Sequence, residues 1–425
     1  MEIHDLYTIF LQHSSIQTDT RKLKEGDFFF ALKGANFNGN KFAKHALDAG
    51  AAFAVIDEEQ EFTDDRLILS KDVLATLQQL AKYHRQQFTI PFIAITGSNG
   101  KTTTKELIHQ VLSTSYKTYT TKGNLNNHIG IPLTLLSVQK DAEIAVIEMG
   151  ANHQKEIESY CMYTLPTHGL ITNCGKAHLE GFGGIEGVRK GKGELFDYLR
   201  MHNGTAFIMS DYSYLKEMSH GISNIKTYGT NDAEITGIAN NSNEFLEVSM
   251  TGGTNLKNIT THLVGSYNLP NLLAAVAIGK YFKVEDEQIK NALELYTPSN
   301  SRSQMIEKNG YKIILDAYNA NPSSMKAAIE NFAGIEGQNK ILLLGAMMEM
   351  GNESLTEHKA LIDLISKYTW NNVVLVGGDF NKILHPYLYF NTSAEAKTWL
   401  EQQPVKNALL LVKGSRSMQM EKVAE

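Results

Sequence analysis

The run Ile93-Ala-Ile-Thr-Gly-Ser-Asn-Gly-Lys-Thr-Thr-Thr-Lys-Glu-Leu107 sets two glycines, a lysine and a hydroxyl between an apolar strand and a helix start. Gly97 and Gly100 permit a tight turn whose successive N–H groups point inward at phosphate oxygens. The N-terminus of the following helix adds partial positive charge there. Lys101 can then reach the β- and γ-phosphates, and the Thr102 hydroxyl can ligate Mg²⁺. The general phosphate-loop pattern has a further glycine where this chain has Ile95, so the form present is the shorter Thr-Gly-x-x-Gly-Lys-Thr-Thr. A glycine pair alone would read as a plain turn. Gly-Lys-Thr after an apolar strand predicts a nucleoside triphosphate site formed by Gly97, Ser98, Asn99, Gly100, Lys101, Thr102 and Thr103.

Two further groups fall at the ends of predicted strands, where open α/β sheets bind ligands. Glu148 closes the apolar run before Met149-Gly-Ala-Asn-His153, and a carboxylate there could hold Mg²⁺ beside the triphosphate. His178 follows the strand ending at Asn173. Either residue alone reads as a satisfied polar contact, but their joint placement after consecutive strands favours a metal role.

The elements that must position these groups alternate. Strands are predicted at 26–32 and 51–56, with a helix at 42–50 between them and another at 73–88. Pro91 breaks the chain before the loop strand. Strands at 142–148, 169–173 and 205–209 alternate with helices, which implies a parallel sheet covered on both faces. An antiparallel excursion is expected within 231–261, then an apolar helix at 270–281. The turn-rich segment 297–301 is the best linker candidate. Beyond it, strands at 311–315, 340–344, 372–376 and 408–412 describe a second doubly wound unit. The expected fold is α/β in three domains. These are a small α/β domain (1–88), a central phosphate-loop parallel-sheet ATPase domain (89–299) and a Rossmann-like C-terminal domain (300–425).

Composition sets outer bounds. The 425 residues exceed one ordinary core, and 42% hydrophobic with 20% charged residues is usual for a globular enzyme. A net charge of −6 argues against a nucleic-acid or anionic-membrane surface. Cys161 and Cys174 have no metal spacing, so free thiols in a reducing cytoplasm are expected. No signal peptide and no run of membrane-spanning length is read, so no membrane insertion is expected.

Several short motifs, in order and spacing, resemble those of the Mur ligases, ATP-dependent amide-forming enzymes of peptidoglycan precursor synthesis. They begin with Asp19-Thr-Arg21, Gly26-Asp-Phe-Phe-Phe-Ala-Leu32, the loop itself and Gly123-Asn-Leu-Asn-Asn-His-Ile-Gly-Ile-Pro132. Glu148-Met-Gly-Ala-Asn-His153, Ala177-His-Leu-Glu-Gly-Phe-Gly183 and Gly191-Lys-Gly-Glu194 follow. The last third supplies Gly265-Ser-Tyr-Asn268 with Asn271, Asp316-Ala-Tyr-Asn-Ala-Asn-Pro322 and Lys413-Gly-Ser-Arg416. Within that family the resemblance implies the branch that adds D-alanyl-D-alanine to a UDP-N-acetylmuramoyl-tripeptide, with ATP and Mg²⁺ as cofactors, in a monomer.

The resemblance also implies roles. Lys101 would contact phosphates, Thr102 and Glu148 would hold a first Mg²⁺, and His178 would help hold a second. Lys192 matches a lysine that the family carries as a carbamate; beside two cations an ammonium is repelled, whereas a carbamate is an anionic ligand. Without the metal motifs, Lys190 and Lys192 read as a solvated helix face. Asn268 and Asn271 match an adenine-contacting pair, although on their own they read as an N-cap and a turn residue. Arg302 would reach the γ-phosphate, and Asp316 the ribose. Tyr318, Asn319 and Asn321 would line the same cleft, Asn126 and Asn127 the substrate side, and Asp19, Thr20 and Arg21 the UDP segment, although Asp-Thr-Arg reads equally as a turn. Ala346 and Ser417 depart from the family pattern in the acceptor region, Ala346 by removing a carboxylate. Two alternatives stay open: the sister ligase that adds the third amino acid, and a nucleotide-dependent switch protein without ligase chemistry.

Overall fold

The computed structural model describes residues 1–425 except 241–243, 300, 338 and 404–407. Residue 300 of the expected linker, which is also the first residue of the expected C-terminal domain, therefore lies outside the described residues, as do 241–243 of the expected excursion. The chain forms two compact units, one of 1–94, 116–150 and 156–168, the other of 95–115, 151–155 and 169–425.

In the first unit, the strands Ile16–Gln17, Phe28–Phe30, Phe53–Ile56 and Leu67–Leu69 form a four-stranded parallel sheet. Phe28, Phe29 and Phe30 are all buried, as a strand covered on both faces requires. The helix Val73–Arg85 starts at Asp72, whose carboxylate accepts from Ala75 N, and packs against Ile3–Gln12, Gly130–Leu136 and Glu156–Thr164. It ends before the expected residue 88. Arg85 binds the carbonyls of Thr164, Phe88 and Leu165 with its guanidinium and lies 3.8 Å over the Phe92 ring. That one side chain fixes the turn into the loop strand, and such packing explains why this unit extends past the first domain.

The largest sheet has nine strands in the order Asn258–Thr260, Glu247–Gly252, Ile235–Ala239, Asn224–Gly229, Thr205–Met209, His168–Ile171, Phe92–Thr96, Ile144–Glu148, Thr118–Thr120. Pairing turns from parallel to antiparallel beyond Ile235–Ala239, which is the expected excursion. In the second unit the helix Leu269–Tyr281 is buried on almost every face and packs against Lys101–Leu112, which explains its lack of polar periodicity.

The last sheet, also in the second unit, runs Gln304–Lys308, Tyr311–Asp316, Leu409–Lys413, Lys340–Gly345, Asn372–Val376, Leu388–Phe390. Four of these strands match the sequence pattern. The two edge strands do not show in it, because both are partly exposed and lack apolar alternation. One face packs Ile314, Leu342, Leu344 and Leu411 with Met325 and Ile329, and the other packs Ile313, Leu315, Leu343 and Val412 with Ala396 and Val423. Helices therefore cover both faces, as expected of a doubly wound unit.

Candidate active site

The loop leaves the fully buried strand Phe92–Thr96 with Gly97 at φ 143° and Gly100 at φ 79°. A Cβ on Gly97 would lie 2.0 Å from Thr172 Oγ1, and one on Gly100 would lie 2.5 Å from Asn271 Oδ1. Both positions thus demand glycine by conformation and by space. Ser98 N and Asn99 N donate to the backbone and side-chain oxygens of Asn173 at 2.9 and 3.1 Å. Ser98 Oγ donates to Gly175 O, and Thr172 Oγ1 donates to Asn99 O at 2.6 Å. The segment 172–175 therefore holds the loop in shape before any ligand arrives. Lys101 Nζ donates to Gly97 O at 2.7 Å and Ser98 O at 3.3 Å, so the ammonium already lies over the loop. Thr102 is buried and Thr103 half-buried in the first helical turn, whose N–H groups have no intrahelical acceptor.

The two asparagines matched to adenine are joined to this loop. Thr104 Oγ1 donates to Asn271 Oδ1, Asn271 Nδ2 to Asn268 Oδ1, and Asn268 Nδ2 to Val264 O, at 3.0, 2.8 and 2.8 Å. Asn268 stands at the N-cap of Leu269–Tyr281 without capping it through its side chain. Arg302 stacks on the Tyr318 ring at 3.5 Å, and Arg416 lies 5.9 Å from the same ring. Asp316 ends its strand in a 2.5 Å ion pair with the buried Lys413, and its other oxygen accepts from Ser303 N. Asn319 Oδ1 accepts from Ala320 N, a local bond. Asn321 caps Pro322–Gly334 by accepting from Ser324 N and donates its amide to Asn99 Oδ1 in the phosphate loop.

His178 has left-handed backbone, φ 51°, and its Nδ1 lies 2.5 Å from Glu349 Oε2, approached off the hydrogen-bond direction. Lys192 is 1% exposed on the helix Ile185–Met201, donates to Ala151 O at 2.9 Å, and lies 4.9 Å from the Phe182 ring centre. Lys190 is exposed. The solvated-face reading thus holds for Lys190 and fails for Lys192.

In the first unit, Glu148 is 1% exposed. Asn126 donates to its Oε1 at 2.7 Å, while its buried Oε2 has no hydrogen-bond partner. A buried anionic oxygen left without a donor is costly unless a cation meets it. Glu148 therefore fits a Mg²⁺ ligand. Among the described residues no group of three or more His, Cys, Asp or Glu side chains is placed to hold a metal alone. Asn127 is committed locally, its Oδ1 accepting from Ile129 N and Gly130 N. Asp19, Thr20 and Arg21 form a turn in which Arg21 donates to both Asp19 carboxylate oxygens, holding that carboxyl down at about 2.

Glu349, Lys413 and Lys176 escaped the sequence reading. Lys413 opens a quoted motif and was within reach of it; Glu349 carried no signal, because its partner is distant in the chain. Lys176 pairs with Glu357 at 2.5 Å.

A pinned phosphate loop in a large mostly parallel sheet, followed by a doubly wound unit, defines a multidomain phosphate-loop nucleotide-binding protein. Family models match in series: the Mur ligase family catalytic domain at 13–91, the Mur ligase middle domain at 95–279, and the Mur ligase glutamate ligase domain at 301–416. The UDP-N-acetylmuramoyl-tripeptide–D-alanyl-D-alanine ligase of Bacillus subtilis is 35% identical, over 96% of this chain and 92% of its own. A crystal structure of MurF from Acinetobacter baumannii superposes with a TM-score of 0.88 at 30% identity, covering 96% of this chain and 92% of that one. MurF from Thermotoga maritima, solved in complex with ADP, gives 0.87 at 25% identity, with 97% of each chain covered. The chain belongs to the Mur ligase family and, within it, to the D-alanyl-D-alanine-adding ligases.

Proposed function

We propose that this chain is an ATP-dependent, ADP-forming ligase that joins D-alanyl-D-alanine to a UDP-N-acetylmuramoyl-tripeptide, completing the pentapeptide precursor of peptidoglycan. The observation that carries this reading is the likeness to the Bacillus subtilis ligase, 35% identity running through 96% of the chain. ATP phosphorylates the terminal carboxylate of the tripeptide, the D-alanyl-D-alanine amine attacks the acyl phosphate, and the tetrahedral intermediate collapses with loss of phosphate.

Gly97 to Thr103 cradle the triphosphate, and Lys101 moves from the loop carbonyls to the transferring phosphoryl group, whose growing charge it offsets. Asn268 and Asn271 take the adenine, Arg302 the γ-phosphate and Asp316 the ribose. Thr102, Glu148, His178 and a carbamylated Lys192 would hold Mg²⁺, which when bound neutralises phosphate charge. Residues 1–88 supply the UDP site through Asp19, Thr20 and Arg21. Residues 89–299 hold ATP, with Asn126 and Asn127 toward the tripeptide. Residues 300–425 bring Tyr318, Asn319 and Asn321 to the acceptor side. The reaction belongs to the cytoplasm, where ATP is available; among the described residues no helix is long and apolar enough to cross a membrane.

Incubation with ATP, Mg²⁺, D-alanyl-D-alanine and UDP-N-acetylmuramoyl-tripeptides ending in lysine or diaminopimelate tests this, with products identified by mass. A tripeptide-plus-dipeptide product from one of them is expected. Formation of product only from a dipeptide substrate and a single amino acid would assign the sister activity instead.

A further inference from the structure

The loop 346–351 carries a carboxylate that the proposed mechanism leaves unused. Glu349 and His178 are both non-glycine residues with left-handed backbone, at φ 62° and 51°, and they face each other across 2.5 Å. The segments that carry them are in register: Glu180 N donates to Glu349 O, and a Cβ on Gly351 would lie 3.2 Å from the Glu180 side chain. His178 Nδ1 is shut off from water. Glu349, by contrast, is 53% exposed through its side chain, so no core packing requires it.

The loop that presents Glu349 is itself held from two sides, through His358 and through Ser415. Met347 N donates to the buried His358 Nε2 at 3.1 Å, His358 Nδ1 lies 2.7 Å from Ser354 O, and Met348 N donates to Ser415 Oγ at 2.9 Å. A carboxylate in contact with one nitrogen of a histidine, on a fixed loop, is placed to take that nitrogen's N–H once the ring turns toward it, the means by which proteins set the tautomer and orientation of a metal-binding imidazole.

We propose that Glu349 is a positioning residue for His178: its carboxylate takes the Nδ1 side of the ring and leaves Nε2 for a divalent cation. Because Glu349 arrives on the loop after the strand Lys340–Gly345, docking of the last domain completes the cation site. This inference rests on the proposed cation role of His178.

The test uses Mn²⁺ with a non-hydrolysable ATP analogue, reading Mn²⁺ affinity by EPR and nitrogen coordination by ¹⁴N electron spin echo modulation. Glu349→Gln, similar in shape and carried on an exposed side chain, is expected to weaken Mn²⁺ binding by roughly tenfold or more and to reduce the ¹⁴N signal. His178→Ala should lose the ¹⁴N signal and weaken Mn²⁺ binding at least as much, Thr102 and Glu148 still holding the first cation, and Glu349→Gln added to it should cost nothing further. Lys176→Met breaks the neighbouring Lys176–Glu357 pair without touching His178, and should keep the ¹⁴N signal. Wild-type affinity and signal in Glu349→Gln, with affinity weakened and signal lost in His178→Ala, would overturn the positioning role and leave the ligand role standing. Retention of both in His178→Ala would overturn the ligand role, and the positioning role with it.

Discussion

Asn321 does two things with one amide: its oxygen caps the helix Pro322–Gly334 and its nitrogen donates to Asn99 Oδ1, 2.7 Å away in the phosphate loop. A helix start in the last domain is thereby tied to the loop that cradles the triphosphate. The two duties separate by mutation. Asn321→Ala should lose about 1 kcal/mol of stability with the cap and also raise the KM for ATP. Asn321→Asp keeps the cap acceptor but removes the donor and sets a carboxylate against Asn99, so stability should stay near wild type while the ATP KM rises. Equal ATP KM values for Asn321→Asp and wild type would detach this contact from nucleotide binding.

Lys101→Ala should abolish turnover in a folded protein, since it removes the ammonium held over the loop carbonyls of Gly97 and Ser98. Glu148→Gln preserves the volume and the acceptor for Asn126 while removing the charge. It should melt close to wild type, yet form product at no more than about a hundredth of the rate, the scale of losing one transition-state electrostatic contact. Circular dichroism together with product assay reads both outcomes, and near-normal turnover in either folded variant would remove that residue from the site.

Lys192 carries the carbamate prediction. An ammonium must first lose its proton before its nitrogen can add CO₂, and the resulting anion replaces a cation beside the metals. Lys192→Ala should be nearly inactive, with partial recovery on adding acetate or formate as an oxygen ligand. Lys192→Arg should be inactive and beyond rescue, because the guanidinium fills the buried space and stays charged. Little loss of activity in either variant would return Lys192 to a structural role.

Stability should fall on mild acidification. Burial pushes the His168 imidazole down to about 4 and also lowers His84 and His358, the last of which accepts from Met347 N and can do so only while neutral. Each pKa in the folded protein lies below the unfolded value of about 6.5, so the unfolded chain takes up protons first. The stabilisation is full above about 6.5 and is lost as pH falls toward the folded values. Urea midpoints measured from pH 7.5 to 4.5 should decline, and His168→Gln should flatten part of the decline. A midpoint independent of pH over that range would contradict it.

Much of this was legible in the chain because local chemistry and tertiary need agree. The strands Thr205–Met209 and Asn372–Val376 are bounded as their apolar runs suggest, and the phosphate loop reads directly from its glycines and lysine. The edge strand Gln304–Lys308 was not legible, since its pairing with Tyr311–Asp316 is made by backbone and its side chains are half in water. Lys192 could not be told from Lys190 by type, because only the packing of Ile185–Met201 buries one and exposes the other. The pairing of His178 with Glu349 joins two loops with no shared local pattern.

The acyl-phosphate route itself is most directly tested with the terminal carboxylate of the UDP-N-acetylmuramoyl-tripeptide labelled with ¹⁸O. One labelled oxygen must leave that carboxylate when the amide forms, and its destination identifies the activated intermediate. The account predicts that the released inorganic phosphate carries one ¹⁸O per product formed, and that ADP carries none. Label in AMP, or amide product formed without ¹⁸O in phosphate, would contradict it.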